Sequence, residues 1–122
     1  MADRKKGIDD ETRRVLADLA SRAGTRISGR QRARWEPGNV SNPQDRYLSG
    51  VFTDEAAWSL VAEKLRDGHE VETMVLDHPP GATGYVLKIE VEADAPRVYV
   101  KLELLKSRRR VVGRSFHYSI HE

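Results

Sequence analysis

The hydrophobic period of this chain changes once, at Gly68, and the change separates a helical half from a strand half. In the first half Ile8, Thr12, Val15, Leu16, Leu19 and Ala23 follow one stripe of 3.6-residue period, while Arg13, Arg14, Asp18 and Arg22 fall mostly on other faces. Asp9 or Asp10 suits the N-cap, and Gly24 suits the left-handed position that closes a helix, so the pattern predicts a helix over 9–23. A second stripe, Ala57, Trp58, Val61 and Leu65, follows Thr53 as N-cap, with Asp54 and Glu55 in the first turn. It closes at Gly68 after Lys64 and Arg66, which predicts a helix over 54–67.

Beyond Gly68 the period is 2. Segments 69–76, 85–92, 97–105 and 111–120 alternate apolar and polar residues, joined by short connections at 77–82, 93–96 and 106–110. Alternating strands with short connections form antiparallel hairpins, one face on a core and one in water. The expected fold is therefore α+β: two helices packed on one face of a four-stranded antiparallel sheet, in a single domain over 1–122. Between the helices, 25–52 reads as an irregular arm, because Gly29, Pro37, Gly38, Asn39, Asn42 and Pro43 break any long element.

Composition alters this picture little. The 122 residues are enough for one modest core, and 33% of them are charged. There is no cysteine, hence no disulfide framework and no thiolate zinc site. No apolar run approaches the ~18 residues of a membrane helix. No apolar run follows the basic residues of 1–7, so no signal peptide and no membrane partner are expected, and a cytoplasmic location is the simplest.

Charge distribution says more than the net +2. Residues 1–34 carry ten Lys/Arg against five Asp/Glu, residues 106–122 five against one, and the middle six against thirteen. If the two ends converge they make a positive surface suited to phosphate; if not, they are a solvated face balancing an acidic middle.

The chemistry-bearing residues concentrate on the polar side of the last two strands. Tyr99 and Lys101 leave one side of their strand, opposite Val98, Val100 and Leu102, and Ser115 and His117 make a similar pair if Phe116 points inward. Arg114 belongs to the other face by strict alternation, unless a bulge after Gly113 re-aims it. Tyr, Lys, His and Arg, with no carboxylate pair, no metal-ligand cluster and no expected cofactor, suit metal-free RNA cleavage. That reaction needs a base for the 2′-hydroxyl, an acid for the leaving 5′-oxygen, and cations for the crowded phosphate. The plain alternative is that Tyr favours strands and Lys keeps sheets soluble. His69 reads as a local cap or surface residue, and His78 and His121 as incidental. In the arm, Arg26, Arg30, Arg32 and Arg34 interleave with Trp35, which either stacks on a base or plugs the arm onto the core. Arg108, Arg109 and Arg110 form a basic turn, of interest for RNA only beside the other basic segment.

The segments Arg97-Val98-Tyr99-Val100-Lys101-Leu102 and Val111-Val112-Gly113-Arg114-Ser115-Phe116-His117 resemble the C-terminal half of RelE-like toxins, and within them the motility quorum-sensing regulator family of messenger-RNA interferases. There a Tyr-x-Lys strand is followed by a last strand reading apolar-apolar-Ser-Phe and then a basic residue. The resemblance spans about 53–119. It implies helices on an antiparallel sheet, metal-independent cleavage of mRNA by a toxin of a type II toxin–antitoxin system, and inhibition by a partner antitoxin protein. Tyr99 and Lys101 take the positions of that family's Tyr and Lys. His117 stands where the family has a lysine, and the arm at 29–50 is an insertion; both are departures. Two rivals remain from the residues alone: a protein of this fold that acts by binding a protein target, and a non-catalytic RNA-binding module.

Overall fold

Both helices start where the sequence places their caps. In the computed structural model, which describes residues 7–29, 33–45, 50–105 and 109–119, the Asp9 carboxylate accepts the Thr12 amide at 2.8 Å. Helix α1 then runs Asp10–Ala20. It ends before the expected Gly24 because its last carbonyls find partners early: the Ser21 hydroxyl donates to Asp18 O, Thr25 to Leu19 O and the Arg26 guanidinium to Ala20 O. Gly24 instead lies in a 3₁₀ turn, Ala23–Thr25. Helix α2, Asp54–Arg66, begins with Thr53 accepting the Ala56 amide at 3.0 Å. It ends at Gly68, φ +84°, with His69 N–H donating to Lys64 O and Gly68 N–H to Leu65 O, a paired closure that needs the left-handed glycine. Arg13 reaches from α1 to the Leu65 carbonyl at 3.0 Å, tying the two helices together.

The four strands read from the period-2 pattern are present as β3 (Glu72–Val75), β4 (Thr83–Ile89), β5 (Val98–Leu105) and β6 (Arg110–Tyr118), in an antiparallel meander. The four-stranded antiparallel sheet expected from sequence is nonetheless corrected to six strands and mixed pairing. The arm supplies β1 (Arg26–Ser28) and β2 (Arg34–Trp35), both parallel to β6 along its outer edge. Arg26 to Ser28 stand beside Val111 to Gly113, and Arg34 and Trp35 beside Ser115 and Phe116. The two pieces therefore act as one interrupted edge strand. Strands of three and two residues show no periodicity, which is why the arm reads as irregular.

Both helices cover the same face of the sheet. Leu16 and Leu19 of α1 and Trp58, Val61 and Leu65 of α2 pack on Leu87, Ile89, Val98, Val100, Leu102, Val111 and Phe116, all buried in one core. Burying each such side chain contributes about 1.5–3 kcal/mol relative to leaving it exposed. The alternation that sends Val98, Val100 and Leu102 into this core sends Tyr99, Lys101 and Glu103 to the other face.

Candidate functional site

Residues directly opposite one another in an antiparallel pair share a face, so the register shows what the helix-free side of the sheet carries. Tyr99 stands opposite His117 and Lys101 opposite Ser115. On the far side of β5, Lys88 stands opposite Tyr99 and Val86 opposite Lys101. On the far side of β6, Arg34 stands beside Ser115. Two rows thus cross the sheet, Lys88–Tyr99–His117 and Val86–Lys101–Ser115–Arg34. Phe116 is fully buried in the core, which turns Ser115 and His117 to the helix-free side of the sheet, where Ser115 is itself buried and His117 half-buried.

The rings of Tyr99 and His117 lie 5.5 Å apart at centroids, tilted by 30°. His117 Nδ1 is 2.9 Å from the Tyr118 carbonyl oxygen. A carbonyl only accepts, so Nδ1 carries the hydrogen and Nε2 of the neutral ring holds the lone pair. Lys101, half-buried one row along, and Lys88 form no salt bridge among the described residues. The arrangement combines an imidazole able to take a proton, a phenol able to give one, and an ammonium beside them.

Arg114 also reaches this face, through a bulge: β5 and β6 shift register between Lys101 and Leu102. Its guanidinium is engaged, however, by the buried Glu103 carboxylate at 2.8 Å. Glu103 was not among the residues singled out from sequence. The available signal was its place two beyond Lys101 in the same alternating series.

The arm's residues divide. Arg26 lies on the helix-bearing side, donating to Ala20 O, 3.5 Å from Glu55 and over the Trp58 ring. Trp35 plugs the arm onto the core, 4.6 Å from the Trp58 ring and 5.4 Å from Phe116. Its indole N–H donates to Asp54 at 2.7 Å, while Ser28 donates to the other oxygen of the same carboxylate and accepts from Trp58. Asp54, at the start of α2, thereby clips both halves of the edge strand, a role the sequence reading missed. Arg34 is mostly exposed, 3.5 Å from Glu36. Arg30, Arg32 and Arg108 lie outside the described residues, as does His121. Arg109 and Arg110 border a cleft with Val15, Arg22 and Leu104. Arg110 is seven residues from His117 along β6, roughly 23 Å at the usual strand rise, so Arg109 and Arg110 are not part of the Tyr99–His117 row.

The Tyr85 hydroxyl, packed against the core, is pushed up by burial and by the Asp9 charge. The Asp9 carboxyl is held down by its hydrogen bonds to Thr12. Among the described residues no three His, Asp or Glu side chains group as metal ligands, and no helix is long and apolar enough to cross a membrane. No family model, no curated protein and no solved structure matches the chain.

Proposed function

We propose that this protein is a metal-independent endoribonuclease, acting on mRNA as the toxin of a type II toxin–antitoxin pair in the cytoplasm and held in check by a cognate antitoxin protein. The observation that carries the reading is the Tyr99–His117 pair, 5.5 Å apart on the open face, with the imidazole tautomer set by Tyr118 O. In this mechanism His117 Nε2 takes the proton of a ribose 2′-hydroxyl, whose oxygen attacks the adjacent phosphorus. The phosphorus–5′-oxygen bond breaks, Tyr99 protonates the departing oxygen, and a 2′,3′-cyclic phosphate and a 5′-hydroxyl result. Lys101 stabilises the extra charge on the phosphate as it becomes five-coordinate. Arg34, beyond Ser115 in the Lys101 row, holds the RNA backbone. Arg114 contributes through Glu103 rather than by touching phosphate, since its charge is already engaged.

The test is incubation of the purified protein and its His117→Ala variant with a long single-stranded RNA in EDTA. The variant is expected to cut about 10²–10⁴-fold more slowly. Equal cleavage by both proteins overturns the assignment of His117. Intact RNA with salt-dependent binding supports a non-catalytic RNA-binding module instead.

A further inference from the structure

The β5–β6 ladder has two registers. Leu105, Leu104, Glu103 and Leu102 pair with Arg110, Val111, Val112 and Gly113; Lys101, Val100, Tyr99 and Val98 pair with Ser115, Phe116, His117 and Tyr118. Arg114 is the extra residue between them. Because side chains alternate, a slip of one residue exchanges the two faces of a strand. Continuing the first register would set Phe116 opposite Tyr99 on the open face and His117 opposite Val98, which is fully buried. One inserted residue therefore decides on which face the imidazole lies.

The bulge is held from the side. Arg114 Nη1 donates to Glu103 Oε1 at 2.8 Å, and the two side chains are only 16% and 4% exposed. Glu103 belongs to the register before the bulge, so the ion pair spans the point where the register changes. A bulge sends two consecutive residues to the same side and increases local twist, and here Arg114 and Ser115 are those two. A carboxylate this buried is costly to leave without its partner, which favours the one register in which Arg114 can reach it.

We infer that Glu103 and Arg114 are positioning residues: their buried ion pair fixes the bulge that sets His117 opposite Tyr99. The consequence for catalysis rests on the ribonuclease reading above; the structural claim does not. Tyr99–His117 ring contacts are read by nuclear Overhauser effects on the folded full chain, alongside kcat and KM for RNA cleavage. Wild type is expected to show the Tyr99–His117 contact and no His117–Val98 contact; the reverse pattern overturns the inference. Arg114→Met, which keeps length without charge, is expected to lose the ring contact and to lower kcat at least tenfold with KM little changed. Arg114→Lys is expected to retain both in large part. If Arg114→Met does not fold, Glu103→Gln carries the comparison, because it preserves shape and a hydrogen-bond acceptor. A folded Arg114→Met or Glu103→Gln protein with the ring contact and kcat intact overturns the positioning role. If wild type cuts no RNA, the ring contacts still decide it, and only the catalytic reading falls.

Discussion

Gly113 illustrates how a single residue constrains this sheet. Its φ is not left-handed, so backbone freedom is not its purpose. A Cβ there would lie 2.5 Å from the Trp35 ring, which packs flat against the strand. The indole is rigid and is itself held by Trp58, Phe116 and Asp54, so it cannot yield cheaply. Gly113→Ala is therefore expected to destabilise the fold by about 1–3 kcal/mol, the usual range for overpacking, as read by the denaturant midpoint; an unchanged midpoint would contradict the packing account. At this scale the sequence was informative where periodicity alone decides. Tyr99, Lys101, Ser115 and His117 share a face as their spacing implies, and Gly113 does precede a bulge. The Glu103–Arg114 pair was not legible, because its members are eleven residues apart across a hairpin and meet only after the register shift.

Among the elements, the broken edge strand is the least independent. β1 and β2 bond to β6 on one side, and Gly29 and Glu36 extend the ladder by donating to Gly113 O and Phe116 O. Both halves converge on the single Asp54 carboxylate through Ser28 and Trp35. Asp54→Ala removes the acceptor shared by the exposed Ser28 hydroxyl and the half-buried Trp35 indole N–H, a loss of about 0.5–1.5 kcal/mol for each hydrogen bond. The expected readout is local: hydrogen exchange at Gly29 and Glu36 accelerates, while the β4–β5 amides keep their protection. Uniform acceleration across the sheet would show instead that the clip supports the whole fold. The two helices and the meander were legible because each is long enough to show its period. Two parallel strands of three and two residues were not, since their pairing is specified by Trp35 filling a site beside Phe116 and by a carboxylate on another element.

Taken whole, the molecule has one face covered by helices and one bearing the Tyr99–His117 row. Two clefts, one between α1 and the end of α2 and another between α1 and the β5–β6 turn, border the helices rather than this row. An open face with separated cations suits an extended polymer better than a small ligand, which is usually enclosed. Among the described residues β1 brings Arg26 beside β6, but Arg26 is turned to the helix side and engaged there. RNA affinity should therefore depend on salt through Lys101 and not through Arg26. Lys101→Ala is expected to reduce the slope of log K against log salt by about 0.7, the value for one contact to a single-stranded phosphate. Arg26→Ala is expected to leave that slope unchanged, and a reversed result would place the RNA path on the helix side.

The measurement that tests the central claim most directly is mass spectrometry of the ends left on a short synthetic RNA after incubation with the wild-type protein in EDTA. The mechanism predicts 2′,3′-cyclic phosphate and 5′-hydroxyl ends, absent when the 2′-hydroxyl at the cut site is replaced by hydrogen and strongly reduced with His117→Ala. Ends bearing a 5′-phosphate, or cleavage that survives loss of the 2′-hydroxyl, would contradict it.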